Sequence, residues 1–207
     1  MELSKLQGII PDRILEILPE ELTTYEINTP LRAAHFLGQI AHESGNFTIR
    51  SENMRYKTAA RIVEIWPTRF NLDGSNGKKN ANDYVNNPEK LAETTYGGRM
   101  GNSQPGDGFR FRGGGFLQLT GKEAYIGYAA YLNKDVGTTA DLIRSDDHFA
   151  LDCALWEYVK DKKLNPVADL GPGDDVITKV TRVINGGTIG LPERKNWFHK
   201  IYDKLKP

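Results

Sequence analysis

The stretch 29–44, which reads TPLRAAHFLGQIAHES, constrains this chain more than any other. Thr29 can accept a hydrogen bond from a free amide of a first helical turn, and Pro30 fits inside that turn. Gly45 and Asn46 tolerate the left-handed backbone that ends a helix. Between these signals, Phe36, Ile40 and Glu43 are spaced i, i+4, i+7 and share one face. An apolar helix of this length must be covered by other elements, and Glu43 travels with its apolar stripe rather than with the solvent side.

Helical periodicity returns along the chain. The first 28 residues read as short helices broken at Pro11 and Pro19, and a helix over 58–66 ends at Pro67. Further helices are expected over 121–132, over 145–162 with Asp146 and Asp147 in the first turn, over 175–184 and over 192–205. The last carries Trp197, Phe198, Ile201 and Leu205 on one stripe, which docks it on a core with its basic face solvated. Strict strand alternation is scarce, so the expected class is mainly α. Residues 71–90 are rich in Asn, Gly, Asp and Lys and read as a long loop. Residues 97–115 hold eight glycines and read as an extended loop or short hairpin whose backbone approaches something closely. With 207 residues and no internal repeat, the chain is expected to be one domain over 1–207.

Charge and cysteine content narrow the function classes. Lys+Arg and Asp+Glu are both 27, a balance that argues against nucleic-acid binding by counterion release. The single cysteine, Cys153, allows no intramolecular disulfide and suggests synthesis in a reducing compartment. It lies in an apolar helical run and reads as a small buried hydrophobe. No apolar run approaches the roughly 18–20 residues of a membrane span, and none near the start resembles a secretory signal, so stable membrane insertion is not expected.

The chemistry is expected at two glutamates. Apolar surroundings and the nearby helix C-terminus both disfavour a charged carboxyl at Glu43, which suits a general acid. Glu52 follows nine residues later, flanked by Arg50 and Arg55. Neighbouring guanidiniums favour its charged form, which suits a base. A third segment, 109–121, joins aromatic and basic residues to a glycine run and then to Gln118 and Thr120. These two alternate with Leu117 and Leu119, so they share one face if the stretch is extended and can hold a water or a sugar hydroxyl. The glycine run lacks the Lys and Ser/Thr of a phosphate loop. His35 and His42 are seven apart, and Asn46 fills the place a zinc peptidase motif gives to its second His, so no metal and no cofactor are expected.

The motifs His42-Glu43-Ser44-Gly45, Glu52-Asn53-x-x-Tyr56, Trp66-Pro67-x-Arg69-Phe70, Tyr96-Gly97-Gly98-Arg99-Met100-Gly101-Asn102, Gly115-Phe116-Leu117-Gln118-Leu119-Thr120-Gly121 and Ile184-Asn185-Gly186-Gly187 occur in that order. Gly190-Leu191 and Glu193-Arg194 follow. Together they resemble glycoside hydrolase family 19, in the branch of phage endolysins and chitinase-like bacterial enzymes. The resemblance implies a lysozyme-like, two-lobed helical fold with a central cleft and a small loop or hairpin region. It implies inversion at the anomeric carbon, with Glu43 as acid, Glu52 as base and Thr120 positioning the water. Gln118 and Asn185 match polar residues that line the sugar path, and Arg194 matches a basic residue behind it. Tyr56, Arg99 and His42 complete the expected substrate-binding set, with Trp66 and Tyr96 as further candidates for stacking on sugar rings. Gly114 replaces an arginine, and Ala124 an asparagine, of the family pattern.

The resemblance further implies a peptidoglycan-cutting endolysin. It would be a monomer without a separate wall-binding domain, made in the host cytoplasm. A holin-type protein would release it to the wall in the periplasm. A chitinase, and a wall-binding protein without catalysis, are the alternative readings. A peptidoglycan amidase or metallopeptidase is disfavoured by the missing zinc motif.

Overall fold

The computed structural model describes residues 1–207. Helix accounts for 58% of the chain and strand for 4%, so the class is mainly α. The chain forms two compact units: Met1–Ser51 with Gly114–Leu119 and Tyr128–Pro207, and Glu52–Gly113 with Thr120–Gly127.

The first unit begins with a 3-10 turn, Leu3–Leu6, and two short helices, α1 (Asp12–Leu15) and α2 (Leu18–Thr24). Pro11 precedes α1 as expected, but Pro19 sits in the first turn of α2 instead of breaking a helix. There its missing N–H costs nothing. Helix α3 (Pro30–Glu43) follows the boundaries its capping signals dictate, and the Thr29 side chain accepts from Arg32 N at 3.2 Å. Its nine residues from Ala33 to Ala41 are all buried, so it is covered on every side and not along one stripe. Full burial of a side chain such as Phe36 or Leu37 is worth about 1.5–3 kcal/mol.

The chain leaves for the second unit and comes back through α7 (Lys122–Leu132), whose later residues belong to the first unit. Helix α8 (Val136–Ser145) is capped by Asp135, whose carboxylate accepts from Thr138 N. The sequence hid it: Gly137 and a pair of β-branched threonines are poor helix formers, and tertiary burial of Gly137, Ala140 and Ile143 overrides them. Helix α9 (Asp147–Trp156) therefore starts after an Asp146 cap, and it passes into a π-helical turn, Glu157–Asp161. Short α10 (Asn165–Ala168), then α11 (Asp174–Asn185) and α12 (Leu191–Leu205), complete the unit. Phe198, Ile201 and Leu205 of α12 are buried, the docked stripe expected, while Trp197 is half-buried. Cys153 is buried, and burial pushes its thiol well up.

In the second unit, α4 (Ala59–Ile65) is capped by Thr58. Two-residue strands β1 (Phe70–Asn71) and β2 (Lys79–Asn80) pair in parallel, Phe70 against Lys79. The expected long loop over 71–90 is thus shorter: β2, a 3-10 turn at Ala81–Tyr84 and the start of α5 (Pro88–Tyr96) interrupt it. Helix α5 buries only Leu91, Ala92 and Thr95, too few for an apolar stripe in the sequence. The glycine-rich stretch 97–115 is not a hairpin. It contains a one-turn helix, α6 (Asp107–Arg110). Met54, Ile62, Phe70, Tyr84 and Leu91 form the unit's core.

One buried polar cluster of the first unit sets a pH dependence. Tyr25 donates to Asp152 Oδ1 at 2.6 Å, Tyr128 donates to Asp152 Oδ2, and Glu21 Oε1 lies 2.7 Å from His148 Nε2. Burial first, then the charge of Asp152, pushes the Glu21 carboxyl up to about 7. The folded chain then holds this proton more tightly than the unfolded chain does. The resulting stability is complete below the ordinary value of 4.5 and is lost as pH rises through about 7. Urea unfolding at pH 5 and pH 8 should show the parent losing stability across that interval and Glu21→Gln losing less. Equal losses in the two proteins would show that Glu21 does not carry the effect.

Candidate active site

Glu43 closes α3, and its carboxylate meets the guanidinium of Arg194 from α12. Arg194 is 1% exposed, while the Glu43 side chain is 22% exposed. The apolar setting expected of Glu43 is therefore not what the fold supplies: its nearest partner is a buried cation, and its rim reaches solvent. Arg194 donates in three directions. Nη2 goes to Glu43 Oε1, Nη1 to Gln39 Oε1 at 2.6 Å and Nε to Ile189 O at 3.1 Å. Gln39 in turn donates to Thr181 Oγ1 of α11 at 3.0 Å. A buried charge is tolerated only when it is paired and hydrogen-bonded, and here each of the three guanidinium nitrogens has a partner.

His42 neighbours Glu43 on α3. Burial first, then the charge of Arg194, lowers the imidazole below its ordinary value, so the ring is neutral at pH 7. It packs against Gly190, whose φ is +69°. A Cβ there would fall 2.2 Å from His42 Nε2, so only glycine lets the turn before α12 lie against this ring. Asn185 ends α11, and its side-chain oxygen is buried without a hydrogen-bond partner. His35, the other histidine considered as a ligand, is buried against Phe198 and bonded to Gly171 O at 3.0 Å.

Glu52 belongs to the second unit. Its backbone N–H donates to Gly113 O at 2.8 Å. Its carboxylate accepts from Gly113 N at Oε2, 3.2 Å, and from the Tyr96 hydroxyl at Oε1, 2.7 Å. Burial and the adjacent Glu52 carboxylate push the Tyr96 hydroxyl well up, which keeps it a donor. The flanking arginines do not act as the sequence suggested. Arg50 pairs with Asp147, and Arg55 is exposed. An amide and a phenol hold Glu52 instead. Arg112 fixes the same backbone segment: Nε donates to Glu52 O at 3.2 Å, and the guanidinium lies 4.0 Å over the Phe109 ring.

Tyr56 is half-buried, edge-on to Trp66 at 5.4 Å, and it feels the Glu52 charge. Arg99 is exposed near the end of α5, where it donates to Thr95 O at 3.4 Å. Thr120 is half-buried just before Gly121, whose N–H donates to Phe111 O at 2.8 Å.

The expected shared face of Gln118 and Thr120 does not form. Gly114 N bonds Leu119 O, and the intervening residues make a tight turn with Gln118 at φ +59°, its amide donating to Gly115 O at 2.9 Å. A turn cancels the two-residue alternation on which that face depended. Gln39 and Tyr96 support the two glutamates by contacts that no sequence motif encodes. Gln39 had a signal, its place four residues before Glu43 on the same helix face. The Tyr96 hydroxyl had none beyond its aromatic character.

No protein-family model matches the chain. A glycosyl hydrolase family 19 domain-containing protein of Haemophilus influenzae is 31% identical over 173 residues, 83% of this chain and 78% of its own. Two solved structures share the fold: chitinase C of Streptomyces griseus (TM-score 0.53, 19% identity) and a point mutant of chitinase C (TM-score 0.54, 18% identity). Each match covers 92% of this chain and 68% of the other. The fold is thus the lysozyme-like, mainly α fold of these enzymes. The chain belongs to glycoside hydrolase family 19 and is a glycoside hydrolase.

Proposed function

We propose that this glycoside hydrolase is an endolysin that cuts β-1,4 bonds between the N-acetylated sugars of bacterial peptidoglycan, by inversion. The observation that carries the reading is that each glutamate is gripped by its own polar frame, Glu43 by Arg194 and Glu52 by Tyr96 and the Gly113 amide. In this reaction Glu43 gives its proton to the glycosidic oxygen as the C1–O bond breaks. Arg194 stabilises the carboxylate that remains. Glu52 takes a proton from the water that attacks C1 from the opposite face, and Thr120 helps to orient that water. Inversion requires roughly 6.5–9.5 Å between the two carboxyls, room for the water. Gln118, Asn185, Tyr56, Arg99 and His42 contact the glycan.

Peptidoglycan is favoured by the nine-residue spacing from Glu43 to Glu52, which resembles endolysins, and by a single cysteine where secreted plant-type chitinases usually carry disulfides. The endolysin acts as a monomer and reaches the wall through a holin-type release protein. The second reading, a chitinase, draws on the solved chitinase C neighbours. Mass spectrometry of products from purified peptidoglycan and from chitin oligomers separates the two, and 1H NMR early in the reaction reads the anomer first released. New sugar ends from peptidoglycan with α-anomeric configuration are expected. Products from chitin alone would replace the first reading with the second, and β-anomeric products would remove the inverting mechanism.

A further inference from the structure

Gln39 is buried one helical turn before Glu43, and no role in catalysis follows from its sequence alone. On α3 the two side chains stack as an i, i+4 pair. Arg194 reaches across from α12 and spends one terminal nitrogen on each of them. The amide orientation is fixed. A guanidinium only donates, so the Gln39 oxygen must face it and its nitrogen must face Thr181.

We propose that Gln39 is a positioning residue for the acid: braced by Thr181, it holds the Arg194 guanidinium so that one N–H is aimed at the Glu43 carboxylate. The inference rests on the reading of Glu43 as general acid and adds how that acid is kept in place. A guanidinium tied to Glu43 alone could pivot. With Gln39 Oε1 and Ile189 O as second and third acceptors, it has one orientation. The neutrality of Gln39 matters as well. A carboxylate at this position would accept the same hydrogen bond but would divide the positive charge between two anions. Other charged or titratable groups around Glu43 are His42 on its own helix, Glu193 on α12, which acts on His42 together with Glu43, and Glu157 in the π turn after α9, which senses the Glu43 charge. The hydrogen bonds of the Gln39 side chain go to Arg194 and Thr181 and to none of these three.

The test compares Gln39→Met, which keeps the bulk and deletes both hydrogen bonds, with Gln39→Glu, which keeps the acceptor. Assays are run well below each variant's Tm. Gln39→Met is expected to lower kcat by ~10–100-fold with KM within about twofold, the cost of a misplaced group. Gln39→Glu is expected to recover much of that kcat and to move the alkaline limb of kcat/KM up by about one pH unit, because a second carboxylate beside Glu43 resists its ionisation. Two variants with the parent's kcat and pH profile, and only a lowered Tm, would overturn the proposal and leave Gln39 a structural residue. If the parent cuts no glycan, the function reading fails separately. The relay is then read by 13C NMR titration of the Glu43 carboxyl, identified by its absence in Glu43→Gln. A midpoint raised in Gln39→Glu supports the relay, and a midpoint unmoved in both variants refutes it.

Discussion

Glu43→Gln is expected to lower kcat on the glycan by about 10²–10⁴-fold, the usual worth of a positioned general acid. The amide has nearly the shape of the acid and keeps an oxygen for Arg194, but it has no proton to give to the departing sugar oxygen. The same change should also cost stability. Arg194 is fully buried, and Glu43 is the one carboxylate that its guanidinium touches. Removing one member of a buried pair costs about 3–5 kcal/mol. Here the Glu43 end is partly solvated and the amide still accepts, so the lower value of about 1–2 kcal/mol applies. For a chain of this length that is a Tm decrease of roughly 2–8 °C. Activity is measured by reducing-sugar release and Tm by circular dichroism. A Glu43→Gln protein with the parent's turnover would remove the acid assignment. One that is inactive but as stable as the parent would instead show that the Arg194 charge is satisfied without Glu43.

What could be read from sequence divides along a physical line. Helix α3 was legible to within a residue because its ends are written locally, in Thr29, Pro30 and Gly45. Helical spacing ties Glu43 to Phe36 and Ile40, which places it at the end of α3 but wrongly suggests an apolar setting. Its partner was not legible, since Arg194 lies 151 positions away and no local period connects them. Tyr96 and Glu52 are separated by 44 positions, and their contact depends on α5, a helix with too thin an apolar stripe to announce itself. The flanking arginines misled for the same reason. Adjacency in sequence places Arg50 near Glu52, but its side chain is captured by Asp147, 97 positions on. Even the family resemblance, which named Arg194 and Glu43 separately, did not supply the contact between them.

Gly38→Val is expected to damage both stability and turnover. Gly38 sits in the middle of α3, where glycine is ordinarily a cost of about 1 kcal/mol relative to alanine. The reason for it is α12. A Cβ at position 38 would meet Phe198 N at 3.0 Å and Phe198 Cα at 3.2 Å. These are backbone atoms and cannot rotate away. For Gly38→Ala the gain in helix propensity, about 1 kcal/mol, opposes an overpacking cost of about 1–3 kcal/mol, so a small net loss is expected. Valine halves the propensity gain and adds two methyl groups against the same backbone, so the net loss should reach about 3 kcal/mol or more. Relief requires α3 and α12 to move apart, and they carry Glu43 and Arg194 respectively. Turnover measured well below the lowered Tm should therefore fall as well, by ~10-fold or more. Gly38→Ala should stay near the parent in both respects. A Gly38→Val protein that is destabilised but fully active would mean that Arg194 keeps its hold on Glu43 while the rest of α12 shifts, and the close helix contact would then serve stability alone.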